Sequence, residues 1–208
     1  MKTKIILQEI FYLIFMFFFC TSAAMANEAE EARLVIKTTA EEVIDYVKSH
    51  RSELEQDKAK LHKLVNEKLV PIVDFKRAAR WILGKNWRKA TKDQRLQFKD
   101  EFKKLLIKTY SSSLLKISDE KVLYPPVKGE VRNGKVSVKS TIITHDGKRF
   151  SVDYRMHNKD KDWKIYDISV DGVSLISTYR SSFTTEIRNV GLDGLIQNLV
   201  KKNKEFKT

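Results

Sequence analysis

The sequence predicts an α+β protein in which helices pack against a twisted antiparallel sheet of about four strands. Apolar residues follow a helical period over 28–117, alternate as in strands over 122–170, and recur every four residues from Leu175 onward. Strands therefore follow strands, without the regular exchange with helices that builds βαβ units. The 208 residues, 42% of them hydrophobic, suffice for a substantial core.

Residues 1–26 have the features of a cleavable secretory signal peptide. Two lysines precede an unbroken apolar run, Ile10–Cys20, and Ala24–Ala26 offers small residues to a signal peptidase. The run is too short to span a bilayer comfortably, although a retained membrane anchor is the alternative. We therefore expect cleavage before Asn27, export from the cytoplasm, and a single domain over residues 27–208.

The chain carries a formal net charge of +13 and one cysteine, Cys20, which lies inside the predicted signal peptide. The mature chain would then have no disulfide framework, so its stability must come from an ordinary core. The positive charge predicts attraction to acidic partners. In an exported protein, anionic lipid surfaces or acidic proteins fit better than nucleic acid, and a basic surface that only improves solubility is the alternative.

Three helices are predicted in the first part of the domain. Residues 28–50 and Ser52–Val70 both show amphipathic helical spacing, and Pro71 closes or kinks the second of these helices. Asp74 is a candidate N-cap for a third, short helix, because its side chain can accept a hydrogen bond from the first turn. Gly84 is well placed to end that helix.

A capping box predicts the start of the next helix. Gln94 follows Thr91 at the spacing that lets each side chain bond the other residue's backbone N–H group. We expect this helix to continue to about Ile117. Its predicted buried stripe consists of Phe98, Phe102, Leu105, Leu106, Tyr110, Leu114 and Ile117.

The strand region contains one strong hairpin signal and one charged loop. Asn133-Gly134 is typical of a two-residue hairpin, which would place Val131 opposite Val136. Residues 157–162 are almost all polar or charged, and we predict a loop there between the third and fourth strands.

The turn at Gly147 decides which residues share a face of the sheet. A two-residue loop would scatter the apolar residues over both faces. A three-residue loop with Gly147 in the left-handed conformation instead pairs Ile142 with Phe150 and Val138 with Tyr154. We prefer the longer loop, because it gathers the apolar side chains on a single face.

An apolar face of the fourth strand is followed at once by an apolar face of the last helix. On the strand, the shared parity groups Tyr166, Ile168 and Val170. On the helix, the spacing of four groups Leu175, Tyr179, Phe183 and Ile187. A ligand site between these faces and a filled core are both compatible with the pattern, which does not separate them.

Signals for catalysis are poor, so we predict no enzyme, no catalytic residue, no metal site and no cofactor. The histidines lack ligand spacing, and the chain has no GxSxG motif and no glycine-rich phosphate loop. Asp153 has the opposite parity from Val152 and Tyr154, so it should face away from the apolar side. No basic-aromatic motif points to nucleic-acid binding.

Four separated strings of the sequence are distinctive. The longest is DFKRAARWILGKNWRKATKDQRLQFKDEFKKLLIKTY, residues 74–110, and it is followed by VDYRM, WKIYDISVDGVSLISTYRSSFTTEIR and GLDGLIQNLVKKN. In their sequence and their order they closely resemble the MlaC family of periplasmic phospholipid-binding proteins, also known as toluene-tolerance proteins. The resemblance covers essentially the whole mature chain, and the first two predicted helices match least distinctively.

The resemblance implies a cone-shaped fold, similar to that of nuclear transport factor 2, with helices curled over the sheet. It implies an apolar cavity that holds the acyl chains of a phospholipid, the bound ligand, and leaves the headgroup at the mouth. It also implies a shuttle that maintains outer-membrane lipid asymmetry. The implied partners are an outer-membrane lipoprotein and porin complex and an inner-membrane ABC transporter with an MCE-domain protein. We expect a monomer.

With this resemblance, the aromatic and aliphatic residues of the apolar faces become candidate lipid contacts. The candidate cavity residues are Trp81, Leu106, Tyr110, Val138, Ile142, Val152, Tyr154, Tyr166, Ile168, Leu175, Tyr179 and Phe183. Arg80 and Arg155 are candidate headgroup contacts, since a guanidinium can bind phosphate through two hydrogen bonds. A basic periplasmic adaptor with a filled core, or an enzyme on the same fold, are the alternatives.

Overall fold

The computed structural model of the protein describes residues 28–117, 120–159 and 162–205. The predicted signal peptide lies outside the described residues. Within these ranges, no helix combines the length and the apolar character needed to cross a membrane. A helical part precedes and follows an antiparallel sheet, so the predicted α+β class is confirmed.

Seven α-helices are described. Their bounds are residues 28–49 (α1), Arg51–Gln56 (α2), Lys58–Leu64 (α3), Phe75–Leu83 (α4), Lys85–Lys89 (α5), Lys92–Leu114 (α6) and Leu175–Glu205 (α7). A π-helical turn, Val65–Leu69, and a 3-10 turn, Val70–Ile72, continue α3. The last helix is broken at Gly191, whose φ of 74° no α-helix accommodates.

The single helix predicted over Ser52–Val70 is divided at Asp57. Asp57 has an extended backbone, and its side chain accepts hydrogen bonds from the N–H groups of Ala59 and Lys60. The aspartate is therefore an N-cap that starts α3, and the helical pattern runs on across the interruption. Helical periodicity alone does not reveal such a break, because the apolar spacing is kept on both sides.

The predicted caps of α4 and α6 are confirmed. The N–H of Arg77 donates to Asp74 Oδ1 over 2.8 Å, and α4 ends at Gly84 with a φ of 52°. Thr91 and Gln94 form the reciprocal capping box of α6. This helix ends at Leu114, so Ile117 lies beyond the helix that we predicted to contain it.

The sheet is a meander of five antiparallel strands in chain order, where about four were predicted. The strands are Lys121–Leu123 (β1), Lys135–Ile143 (β2), Arg149–Lys159 (β3), Asp162–Val170 (β4) and Val173–Ser174 (β5). The additional strand is the two-residue β5 at the edge. The turn at Asn133-Gly134 is confirmed, with φ of 51° and 63° at its two residues.

The predicted three-residue loop between β2 and β3 is also confirmed. Ile142 lies opposite Phe150 and Val138 opposite Tyr154. Gly147 has a φ of 77°, and its N–H donates to the carbonyl of Thr144 over 2.9 Å. This register places the apolar residues of both strands on one face of the sheet.

A β-bulge interrupts the pairing of β3 with β4. Tyr154 lies opposite Ile168, but Met156 lies opposite Ile165, so the register shifts by one residue at Tyr166. The prediction that one alternation runs through Tyr166, Ile168 and Val170 is therefore wrong. Ile165 takes the place beside Met156, and Tyr166 packs against the helices instead.

The predicted loop over residues 157–162 is wrong at residues 157–159 and 162, which belong to strands, and residues 160 and 161 lie outside the described residues. Strand β3 continues to Lys159 and β4 begins at Asp162, so His157 belongs to a strand and is only 2% exposed. The Nε2 atom of His157 lies 2.9 Å from Asp74 Oδ2. Asp74 is also the residue that caps α4. Polar residues continue the strand here because the imidazole has a buried partner.

The buried apolar residues form three separate clusters. The helical cluster consists of Ala78, Ala79, Ile82, Leu83, Phe98, Phe102, Leu105, Ile176, Phe183, Leu195, Ile196 and Leu199. The sheet cluster consists of Ala29, Ala32, Ile36, Val131, Val136, Val138, Met156, Trp163 and Ile165. The N-terminal cluster consists of Val43, Val47, Leu54, Leu61 and Leu64.

A buried carboxylate joins the sheet to the start of α7. Asp167 on β4 is 4% exposed and accepts hydrogen bonds from the Ser174 hydroxyl (2.7 Å) and the Ile176 N–H (3.1 Å). The Arg155 guanidinium lies 3.5 Å from the same carboxylate. Ser174 in turn caps the helix by accepting from the Ser177 N–H.

We expect Asp167→Ala to lower the free energy of unfolding by about 2–4 kcal/mol, because it leaves buried donors without an acceptor. The matched change is Asp153→Ala, which removes only the partly exposed ion pair with Lys139. That change should cost about 1 kcal/mol or less. Urea unfolding of both variants measures the difference, and equal losses would contradict this role of Asp167.

Candidate functional site

Three elements each belong to two of the clusters and so join them pairwise. Helix α1 contributes Ile36 to the sheet cluster and Val43 to the N-terminal cluster. Helix α6 contributes Phe102 to the helical cluster, and its Leu114 packs against the N-terminal cluster. Strand β4 carries the bulge, so Ile165 enters the sheet cluster while Tyr166 packs on the helical one. The three clusters are therefore connected pairwise through α1, α6 and β4.

Partly buried apolar side chains lie at the borders of these clusters. They include Tyr124, Tyr154 and Ile168 on the sheet cluster, Leu106, Tyr166 and Tyr179 on the helical cluster, and Leu69 and Leu114 on the N-terminal cluster. A domain of this size usually packs such residues into one contiguous core. We take this set, the border residues, as the candidate site.

Tyrosine hydroxyls supply the polar atoms of this region. The Tyr154 hydroxyl lies 3.3 Å from Ser140 Oγ, and Ser140 is itself buried. The hydroxyls of Tyr110 and Tyr179 are 3.5 Å apart. A tyrosine at such a place offers its ring to an apolar ligand and keeps one hydrogen-bonding group.

Burial disfavours the phenolate form of Tyr124, Tyr154 and Tyr179. It raises the pKa of Tyr154, against a smaller opposing effect of the Ser140 hydrogen bond. Burial also raises the pKa of Tyr124, with a further contribution from Tyr154 nearby. The pKa of Tyr179 is raised by burial and by its hydrogen bond with Tyr110. The border of the clusters therefore carries neutral phenols, which suit an uncharged, apolar ligand.

The predicted cavity residues divide by burial into three groups. Val138, Val152 and Phe183 are buried. The half-buried group is Leu106, Ile142, Tyr154, Tyr166, Ile168, Leu175 and Tyr179, and it contains most of the border residues named above. Trp81 and Tyr110 are 42% and 44% exposed, so the prediction that Tyr110 belongs to the buried stripe of α6 is wrong. Leu175 is not a member of the helical cluster, whereas the next residue, Ile176, is.

The two candidate headgroup arginines have different surroundings. Arg80 is exposed on α4. Arg155 follows Tyr154 on β3, so its side chain points to the opposite face of the sheet, toward Asp167. Arg155 therefore belongs to the group of residues that contact Asp167 at the start of α7.

Sequence reasoning missed two polar members of the region, Ser140 and Tyr124. Ser140 shares the parity of Val138 and Ile142, so a polar residue at a buried strand position was a signal in the sequence. Tyr124 follows β1, and no comparable signal marks it in the sequence. Its position depends on the path of the chain between β1 and β2.

The described side chains give no arrangement for metal-assisted catalysis. Within residues 28–117, 120–159 and 162–205, no group of three or more His, Cys, Asp or Glu residues could hold a metal ion. Asp153 pairs with Lys139 over 3.3 Å on the face opposite Tyr154, as its parity predicted. The buried His157 and Asp74 pair connects β3 to α4 and has a structural explanation.

An open antiparallel meander joined to helices by half-buried tyrosines and aliphatic residues defines a small α+β ligand-binding domain. A family model described as MlaC protein matches residues 37–201. The chain belongs to the MlaC family, which confirms the resemblance seen in its motifs.

Two curated relatives and one solved structure agree with this assignment. The toluene tolerance protein ttg2D of Pseudomonas putida is 25% identical over 161 residues, which are 76% of this chain and 74% of the relative. The intermembrane phospholipid transport system binding protein MlaC of Haemophilus influenzae is 24% identical over 88% of this chain and 86% of its own length. A phospholipid-binding protein from Ralstonia solanacearum, solved in complex with a phospholipid, is 33% identical. It covers 84% of this chain and 98% of its own, with a TM-score of 0.77.

The raised pKa values of Tyr124, Tyr154 and Tyr179 predict a loss of stability at alkaline pH. Above the ordinary tyrosine pKa of about 10, the unfolded chain releases these protons while the folded chain keeps them, so stability present below that pH is lost as the pH rises. The triple Tyr→Phe variant should therefore show a shallower fall in the free energy of unfolding. Urea unfolding between about pH 8 and pH 11 tests this, and parallel curves would contradict it.

Proposed function

We propose that the protein is a phospholipid carrier that holds acyl chains among the border residues of the three clusters. The observation that carries the proposal is the match to a phospholipid complex at 33% identity over 98% of that chain. The interior supports it, because Tyr154, Ile168, Leu106 and Tyr179 offer apolar surface and neutral hydroxyls. Apart from the hydroxyls, this set is suited to hydrocarbon.

Burial of hydrocarbon supplies the binding free energy in this proposal. Each CH₂ group removed from water contributes about 0.8 kcal/mol, so two long chains bind without any specific headgroup contact. The headgroup then stays outside the apolar region, where water solvates its charge. Arg80 is the better of the two candidate arginines for such a contact, because the guanidinium of Arg155 is held by Asp167.

We further propose that this carrier works in the periplasm as a single domain, residues 27–208, after loss of the signal peptide. Membership in the MlaC family and the signal-peptide features of residues 1–26 support this location. The carrier would exchange phospholipid with an outer-membrane lipoprotein and porin complex and with an inner-membrane ABC transporter bearing an MCE-domain protein. Such exchange would maintain the lipid asymmetry of the outer membrane.

The first test is organic extraction of protein purified from the periplasm, followed by mass spectrometry. We expect phospholipid in stoichiometric amount. Its absence, together with no uptake of lipid from vesicles, would overturn the proposal and favour a basic adaptor with a filled core.

A substitution that fills the site should weaken lipid uptake. Ile168→Trp adds a large ring among the border residues, and overpacking of about 1–3 kcal/mol corresponds to about 5- to 150-fold weaker uptake. Val173→Trp introduces the same ring on the exposed edge strand β5 and should leave uptake unchanged. Uptake of a labelled phospholipid from vesicles, with urea unfolding as a check on folding, compares the two. Equal uptake by both variants would place the acyl chains elsewhere.

A further inference from the structure

Residues 75–92, which run through α4 and α5 to the start of α6, carry positive charge only. The segment contains seven basic residues and no acidic one, between Asp74 and Asp93. Its basic residues are Lys76, Arg77, Arg80, Lys85, Arg88, Lys89 and Lys92. A run of this kind has a function when its side chains share a surface and lack neighbouring carboxylates.

The helices present these charges outward. Helix α4 buries Ala78, Ala79, Ile82 and Leu83 in the helical cluster, and most of its other positions are exposed. Lys76, Arg80 and Trp81 are exposed there. On α5, the exposed basic residues are Lys85, Arg88 and Lys89, while Trp87 packs toward the helical cluster.

The charges are largely uncompensated. Within the part of the chain that the structure describes, only Arg77 of these seven residues forms an ion pair, with Asp74 at 3.8 Å. The other six cations lie at exposed positions of α4, α5 and the start of α6, with no carboxylate at ion-pair distance among the described residues. Such a surface attracts anions over about a Debye length, roughly 8–10 Å at moderate ionic strength.

An exposed tryptophan lies within this basic surface. The Trp81 ring is 42% exposed, and its inner side rests on Tyr166, with the two ring centroids 5.9 Å apart. Tyr166 is contacted in turn by the Arg77 guanidinium, 5.8 Å from the ring centroid. The indole therefore contacts Tyr166 on one side and remains accessible to solvent on the other.

We propose that the outer surface of α4 and α5, comprising Lys76, Arg80, Trp81, Lys85, Arg88 and Lys89, docks on a lipid bilayer that carries anionic headgroups. Lysine and arginine near such a surface are attracted to its phosphates, and tryptophan favours the boundary between headgroups and hydrocarbon. A bilayer is favoured over an acidic protein because the cations flank an exposed aromatic ring on two short helices. The proposal goes beyond lipid carriage, since docking does not require an occupied interior.

Co-sedimentation of the purified protein with vesicles tests the proposal. We expect binding to vesicles that contain phosphatidylglycerol, little binding to pure phosphatidylcholine, and weaker binding at higher salt. Lys85→Gln with Lys89→Gln should weaken the partition about 25-fold, since each lysine near an anionic surface contributes about five-fold. Trp81→Ala should weaken the binding that persists at high salt.

The matched control is Lys121→Gln with Lys128→Gln, which removes the same charge near β1, at the other edge of the sheet. It should leave the partition nearly unchanged, and urea unfolding verifies that all variants are folded. Equal binding to both vesicle types, or equal losses in the two double variants, would overturn the proposal. Retention on an immobilised acidic polypeptide without binding to vesicles would also overturn it, and would assign the surface to an acidic protein.

Discussion

The register between β2 and β3 is the constraint on which the apolar side of the sheet depends. With Gly147 in the left-handed conformation, Val138 lies opposite Tyr154 and Ile142 opposite Phe150. A slip by one residue would place charged side chains such as Lys139 on the inner face, at the cost of burying them. One turn of the chain therefore decides that Tyr154 reaches the interior while Asp153 stays outside.

The bulge in β4 connects this sheet to the helices. Because the register shifts at Tyr166, one strand supplies Ile165 and Ile168 to the sheet cluster and Tyr166 to the helical side. The neighbouring Asp167 then holds the start of α7 by accepting from Ser174 and the backbone of Ile176. Without the extra residue, strict alternation would send Tyr166 and Ile168 to the same face, and the clusters would lose this connection.

Local signals in the sequence predicted much of the fold. The caps at Asp74 and Thr91 and the turn at Gly147 follow from chemistry within four residues, so they can be seen in the sequence. The bulge at Tyr166 and the strand position of His157 depend on partners distant in the chain, such as Asp74. No local rule predicts them.

The candidate site was harder to predict than the fold, because the same residue types fill a core and line a cavity. Val138 and Tyr154 face each other across two strands, yet Val138 is fully buried and Tyr154 only partly so. The difference arises from what covers each side chain, and this depends on residues distant in the chain, such as those of α1 in the sheet cluster. Periodicity identifies the face of a strand, but it carries no information on the space above that face.

The division of the core into three clusters has an energetic consequence for a carrier. Half-buried side chains such as Ile168 and Leu106 gain only part of the free energy that full burial would give. The chain also has no cysteine outside residues 1–26, so disulfides cannot compensate. A ligand that covers these side chains completes the burial and binds the folded state alone, so its binding adds to the stability of the fold. Under the proposed function, incomplete packing of the interior is the physical basis of affinity, because the surface that the fold leaves partly uncovered is the surface that an acyl chain would cover.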